Sequence, residues 1–266
     1  MPAPDFRRKT LPPPLKWAGG KRWQVPRVEE IWRHHADRRL VEPFCGGLAM
    51  ALGLGAARAL LNDVNPHLIN FYRWIADGLR PSIPMKNDET LFYRHRDRFN
   101  ELVRTGRHRE HEAAELFYYM NRTAYNGLCR FNSDGEFNTP FGQYKTINYA
   151  RSFNAYRRTF AMWEFTAGDF GKLQLRPDDF VYADPPYDVE FTSYSRGGFS
   201  WDDQVRTAES LAAHRGPVVL VNQFTPRIRA LYRKLDYTVT ELDAPRRISC
   251  NGDRTPAKEI FATRNL

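Results

Sequence analysis

Hydrophobic and polar positions alternate in two registers at the ends of this chain, with a differently patterned stretch between them. Val25, Val28, Ile31 and Trp32 recur at helical spacing and predict a helix. Leu40-Val41-Glu42-Pro43-Phe44 predicts a short strand closing in the turn Cys45-Gly46-Gly47, followed by an Ala/Leu-rich helix over 48–54. Ala59-Leu60-Leu61 predicts a second strand ending at Asn62-Asp63. Strand signals return at 163–166, 180–183, 218–221, 237–241 and 260–263, and Trp201, Val205, Ala208, Leu211 and Ala212 mark an amphipathic helix among them. Strands alternating with helices predict an α/β fold with a mostly parallel, doubly wound sheet.

The middle of the chain, from about Pro66 to Phe160, is rich in Arg, Tyr, Phe and Asn. Its periodicity predicts helices over 68–74, 91–102 and 113–120. One segment breaks that pattern: 127–132 and 136–141 flank Asp134-Gly135, a dipeptide suited to the positive-φ turn of a hairpin. The layout expected is a flexible, proline-rich basic arm over 1–14, a discontinuous α/β domain over 15–65 and 158–266, and an insert over 66–157 carrying a hairpin at 127–141.

Composition narrows the class. The 266 residues, 42% of them hydrophobic, suffice for one large α/β domain with an insert and exclude a disulfide-stapled mini-protein. Lys and Arg outnumber Asp and Glu 40 to 31, a net charge of +9, which suits a polyanionic partner. A mean hydropathy of −0.63 and the lack of any apolar run near the ~20 residues of a membrane span weigh against a membrane role. The N-terminal stretch, broken by Pro2, Pro4 and Pro12-Pro13-Pro14, has no signal-peptide core. Three cysteines without a CxxC pair disfavour a disulfide framework and a zinc ribbon, and His34, His35, His108 and His111 form no ligand pattern. The expectation is a reduced, cytoplasmic protein with no metal.

Two motifs carry chemistry. The first is strand–turn–helix with glycines at the turn, Glu42 to Gly47, with Asp63 about 20 residues on, where a carboxylate takes the ribose hydroxyls of a nucleotide-like cofactor. Alone it also suits a tight turn of any α/β protein. The second is Asp184-Pro185-Pro186-Tyr187, directly after the apolar strand Phe180-Val181-Tyr182-Ala183. Two prolines end the strand in a rigid, extended corner at its carboxyl end, where open α/β sheets bind ligands. A carboxylate and a proline carbonyl there suit the two N–H donors of an exocyclic amine, with Tyr187 offering a flat face for the base.

With these residues in view, the chain resembles the Dam family of DNA adenine-N6 methyltransferases (D12 class, alpha-type motif order). The matching stretches are LKWAGGK (15–21), VEPFCGG (41–47), LNDVN (61–65), YYMNRTAYNGLCRFNSDGEFNTPFGQY (118–144), VYADPPY (181–187) and RRISCNGDRTPAKE (246–259), in the family's order. The resemblance implies a Rossmann-like S-adenosylmethionine-dependent methyltransferase sheet with an inserted, mostly helical DNA-recognition domain carrying a β-hairpin. It implies transfer of a methyl group from S-adenosyl-L-methionine, leaving S-adenosyl-L-homocysteine, to N6 of a flipped-out adenine in double-stranded DNA.

Carried over position by position, it implies cofactor contacts from Trp17, Ala18, Gly19, Gly20, Lys21, Glu42, Pro43, Phe44, Cys45, Gly46, Asp63 and Asp184. Asp184, Pro185, Pro186 and Tyr187 would hold the adenine. Lys16, Tyr125, Asn126, Leu128, Arg130, Asn132, Pro140 and Tyr144 would bind DNA. Independently of the family, a two-stranded ribbon fits the major groove, where an arginine such as Arg130 can take guanine O6 and N7 together. Arg94, Arg96, Arg98, Arg104, Arg107 and Arg109 suit phosphates, or equally a solvated helix face. Phe191, Tyr194 and Phe199 lie in a Ser/Gly-rich stretch that suits either a loop closing over the base or a plain exposed loop.

The matched DNA positions imply GATC, or a longer site containing it, because Gln143 stands where some GATC members carry a basic residue. A methyltransferase acting on an exocyclic amine of RNA and a catalytically inactive DNA-binding relative are the alternatives. The expected state is a monomer acting at the nucleoid, with a cognate restriction endonuclease as partner in the branch of the family that belongs to restriction systems.

Overall fold

The computed structural model describes residues 11–188, 198–244 and 257–266. Seven strands form one sheet: β1 (Leu40–Glu42), β2 (Ala59–Asp63), β3 (Trp163–Ala167), β4 (Phe180–Ala183), β5 (Val218–Gln223), β6 (Thr238–Ala244) and β7 (Ala257–Arg264). Their spatial order is β3-β2-β1-β4-β5-β7-β6. β1 to β5 run parallel, and β7 is antiparallel to both β5 and β6. The strand order reverses between β1 and β4, so a crevice opens at their carboxyl ends.

The helices are α1 (Val25–Trp32), α2 (Ala49–Leu54), α3 (Pro66–Ala76), α4 (Glu89–Arg104), α5 (His111–Thr123), α6 (Asn154–Phe160), α7 (Trp201–Ala212) and α8 (Pro226–Lys234). Their starts follow from side-chain caps. Asn65 accepts from His67 and Leu68 N–H ahead of α3, Ser200 and Asp203 form a reciprocal capping box on α7, and Thr225 accepts from Ile228 N–H on α8. α6 and α8 were not anticipated, although Thr225-Pro226 is a cap followed by a first-turn proline.

Helices cover both faces, as the alternation along β4 requires. Phe180 and Tyr182 enter one apolar cluster, Val181 and Ala183 the other. The second cluster packs α7 and α8 through Ala208, Leu211, Ile228 and Tyr232. The first runs without a break from the sheet into the insert. Phe71 stacks on Tyr118 at 5.5 Å, Tyr72 meets Phe165 at 5.6 Å, and Phe160 stacks on Trp163 at 5.1 Å. Sheet and insert therefore share one core, and the boundary expected at 157/158 falls inside α6.

Two expectations change in detail. The arm expected over 1–14 is docked from Leu11 onward: Leu11 packs on the core, Tyr156 OH donates to Pro12 O at 2.8 Å, and Arg122 donates to Pro14 O. The hairpin expected over 127–141 is not a regular ladder. It is closed by isolated bridges, Ala124 to Phe141 and Phe131 to Phe137, and begins in a 3-10 turn at Tyr125–Gly127. Gly127 has positive φ, Pro140 has no N–H to give and Arg130 N–H goes to Thr139 Oγ1, so pairing is interrupted, while Gly135 at φ +80° makes the expected turn.

Candidate active site

The turn after β1 is shaped by close approach. Trp17 lies against Gly46 and Gly47. A Cβ on Gly46 would come within 2.9 Å of Trp17 Nε1, and one on Gly47 within 2.8 Å of Trp17 Cβ. Gly46 also has φ +43°, and its carbonyl accepts from Tyr72 OH at 2.7 Å. Asp63, at the end of β2, closes the same turn. Its Oδ2 accepts from Gly46 N–H at 3.1 Å and its Oδ1 from Asn65 N–H at 2.9 Å. Burial raises the Asp63 pKa above the usual aspartate value, and those two N–H groups oppose the rise. Pro43 and Cys45 are buried, Phe44 half-buried, and Ala18, Gly19 and Gly20 exposed. Burial pushes the Cys45 thiol well up, which suits a packing role.

Asp184, Pro185, Pro186 and Tyr187 follow β4 into the crevice. Asp184 Oδ2 meets Lys21 Nζ at 3.2 Å, while Oδ1 is buried with no hydrogen-bond partner among the described residues. Burial pushes the Asp184 pKa up to about 6; Lys21 pulls it down and Glu259 adds to the rise. Lys21 Nζ also donates to Gly19 O at 3.1 Å and sits 4.5 Å from the Tyr187 ring centroid. Pro186 O accepts from Gln204 at 2.7 Å, fixing the corner to α7.

Glu42, at the end of β1, is buried and its Oε1 lacks a partner among the described residues. Burial, with Asp184 adding to it, pushes the Glu42 pKa up to about 8. Three carboxyl groups thus converge on a cleft with one ammonium. Such a donor set fits a cationic ligand: a carboxyl kept neutral by burial ionises readily when a positive group arrives.

The sequence did not mark Glu259, Gln24, Val64 or Phe170. Glu259 Oε1 accepts from Tyr187 OH at 2.7 Å and its Oε2 from Gln24 Nε2 at 2.8 Å. Val64, beside Asp63, is an exposed apolar side chain. Phe44, Phe170 and Phe199 form an aromatic group, with Phe44 5.1 Å from Phe170 and 5.6 Å from Phe199. Phe199 therefore packs beside the glycine turn. Phe191, Tyr194, Asn251, Gly252 and Arg254 lie outside the described residues.

A second surface adjoins the crevice. Lys16 is bound through its backbone to Asn121, and its Nζ lies 4.2 Å from the Tyr144 ring centroid. Gly127 makes room: a Cβ there would stand 2.7 Å from Lys16 Cδ. Burial and nearby Arg122 hold Lys16 below the usual lysine pKa. Tyr125, Asn126, Arg130 and Pro140 are exposed, and Leu128 is half-buried. Asn126 is left-handed at φ +53°, a strained backbone at an exposed tip. Asn132 is half-buried in the turn of the hairpin. Its Oδ1 accepts from Asp134 and Glu136 N–H at 3.0 and 2.8 Å, so it holds the turn. Four of the arginines that suited phosphates or equally a solvated helix face are paired: Arg96 with Asp97 at 3.9 Å, Arg98 with Glu112, Arg104 with Glu136 and Arg107 with Glu110.

Among the described residues, no group of three or more His, Cys, Asp or Glu side chains is arranged to hold a metal, and no helix is long and apolar enough to cross a membrane.

The family model for D12 class N6 adenine-specific DNA methyltransferase matches residues 17–248. The chain is 36% identical to the Retron Ec67 DNA adenine methylase of Escherichia coli, covering 93% of this chain and 90% of that one. It is also 36% identical to a DNA adenine methylase of Vibrio cholerae, covering 93% and 94%. A DNA N-6-adenine-methyltransferase of Escherichia phage P1 is 35% identical over 95% of this chain, which spans 34% of that longer protein. A solved Pyrococcus horikoshii chain, described as a candidate RNA methyltransferase, aligns with a TM-score of 0.42 and 10% identity over 96% of this chain and 89% of that one, too distant to bear on fold or function.

Proposed function

The chain belongs to the D12 class of N6 adenine-specific DNA methyltransferases, and from that premise we propose how its residues divide the work. The methyl donor is S-adenosylmethionine, seated at the carboxyl ends of β1 and β2. Trp17 over the Gly46-Gly47 turn supplies an aromatic face, and Glu42 and Asp184 supply negative charge for a cationic ligand. Asp63 turns to the ribose hydroxyls. Val64 and Phe170 flank the adenine ring. When bound, the cofactor supplies an electrophilic methyl group on a sulfonium.

The target adenine is flipped out of the duplex at a cost of a few kcal/mol. Its N6 amino group donates to Asp184 and to the Pro185 carbonyl, and its ring stacks on Tyr187. The observation that carries this reading is Asp184 itself: one oxygen held by Lys21, the other buried without a partner among the described residues. A buried unpaired acceptor is costly unless a ligand completes it. Accepting both amino protons draws the nitrogen lone pair out of conjugation and aligns it for in-line attack. Lys16, Tyr125, Asn126, Leu128, Arg130, Pro140 and Tyr144 engage DNA, at GATC or a site containing it.

The test is nucleoside mass spectrometry of unmethylated plasmid DNA incubated with protein and cofactor. N6-methyladenine formed by the unmutated protein and lost with Asp184→Ala is the expected result. A methylated base found only in RNA, or equal product from Asp184→Ala, would overturn it.

A further inference from the structure

We propose that Glu259, on the last strand, is a positioning residue for adenine capture that acts by fixing the Tyr187 ring. This rests on the assignment of Tyr187 to the target base. The topology explains how so distant a residue arrives there. β7 runs antiparallel to β5 with Glu259 opposite Gln223, the last residue of β5. The start of β7 therefore lies at the carboxyl edge of the parallel strands, beside the corner that follows β4.

Glu259 is 6% exposed. Burying a carboxylate is expensive unless its oxygens are hydrogen-bonded and a cation is near. Here Oε1 accepts from Tyr187 OH at 2.7 Å, Oε2 accepts from Gln24 Nε2 at 2.8 Å, and Lys21 Nζ stands 3.9 Å from Oε1. Gln24 is held in one orientation because its Oε1 accepts from Tyr182 OH at 3.0 Å. The series therefore converges on Glu259: Tyr182 OH donates to Gln24, Gln24 donates to Glu259 from one side, and the phenol of the stacking ring donates to it from the other. Tyr187 is held at its backbone by the rigid Pro185-Pro186 corner and at its far end by Glu259. A ring tethered at both ends presents a fixed face, so little orientational freedom is lost when a base stacks on it.

A purely structural role for Glu259 makes a different forecast, and a double-mutant cycle separates the two. Glu259→Ala and Tyr187→Phe should each lower kcat by about tenfold, and the double variant should be no slower than either one. The cofactor Kd, read by calorimetry, should change by less than about twofold. With 2-aminopurine at the target position, both single variants should show reduced capture of the flipped base. Glu259→Gln has one acceptor oxygen for two donors, so keeping it on Tyr187 OH sets its nitrogen against Gln24 Nε2, donor against donor, and the variant should be slow. Combining it with Gln24→Glu restores the donor and acceptor order and should recover most of the lost rate.

Additive losses in the cycle would overturn the proposal. So would full activity in Glu259→Ala, or failure of the Gln24→Glu/Glu259→Gln pair to recover rate while melting at the wild-type temperature. Should Tyr187→Ala methylate at the full rate, the assignment of Tyr187 to the base fails instead, a result the cycle cannot produce.

Discussion

Asn121 and Lys16 hold each other by both backbone polar groups of Lys16: Asn121 Oδ1 accepts from Lys16 N–H at 3.0 Å, and Asn121 Nδ2 donates to Lys16 O at 2.7 Å. Asn121 is fully buried on α5, and the same Nδ2 lies 3.5 Å from Gly127 O in the interrupted hairpin. One side chain thus joins the loop that carries Trp17 and Lys21 to the surface assigned to DNA.

Asn121→Ala should therefore weaken two affinities at once. Leaving the Lys16 backbone groups unpaired costs about 1–3 kcal/mol of stability. The freed loop no longer holds Trp17 over the glycine turn or Lys16 against Tyr144. Urea unfolding with cofactor and duplex titrations should register all three losses. A destabilised protein with both affinities intact would mean that Asn121 only fills space.

Asp184 should set the acid limb of activity. Its carboxyl is raised to about 6, so the ionised acceptor form is present above that pH and is lost as pH falls through it. In kcat/KM for the cofactor, which reads the free enzyme, the rate should fall about tenfold per unit below pH 6. Lys21 is what holds Asp184 down, so Lys21→Gln should move the midpoint upward. A midpoint that stays put, or moves down, would detach the limb from Asp184.

The glycine turn gives a steric prediction with an internal control. A Cβ at Gly47 would lie 2.8 Å from Trp17 Cβ, an atom too near the backbone to swing aside. Gly47→Ala should displace the indole, change its fluorescence, and weaken cofactor binding about tenfold or more. Gly55 has φ +61°, but an added Cβ there would meet nothing within 4 Å, so Gly55→Ala should cost about 1 kcal/mol of stability and leave cofactor affinity alone. Equal cofactor affinity in both variants would remove Trp17 from the site.

Much of this was legible locally. The apolar runs of β4 and β5, the glycine turn and the two prolines after Asp184 are short-range signals, and each falls where the pattern of residues put it. The long-range part was not. Glu259 lies just ahead of the strand expected at 260–263, and only its register with Gln223 brings it to Tyr187. Arg98 and Arg104 read as part of a basic stripe because their partners Glu112 and Glu136 are adjacent only after α4, α5 and the turn have packed, whereas Arg107 pairs locally with Glu110, three residues on. The turn at 132–135 is local as well, since in Asn-Ser-Asp-Gly the first side chain caps the N–H groups that follow.

The same pairing separates two arginines that look alike in sequence. Arg130 is exposed, with its backbone N–H held by Thr139 Oγ1 at 3.0 Å and its carbonyl by Asn138 N–H at 3.0 Å, so its guanidinium is carried on a fixed stem. Arg104 is committed to Glu136 at 2.6 Å. Arg130→Ala should relax discrimination at one guanine by about 1–3 kcal/mol, read as the ratio of kcat/KM on the target and on a duplex changed at that base pair. Arg104→Ala removes a surface ion pair worth at most about 1 kcal/mol and should leave that ratio unchanged. Both variants should be compared at several salt concentrations, because a lost phosphate contact lowers binding to all sequences and flattens the salt dependence by about one unit of slope. An Arg130→Ala protein that slows equally on every sequence and loses salt slope holds a phosphate at that position, and base reading must then be sought among Leu128, Pro140 and Lys16.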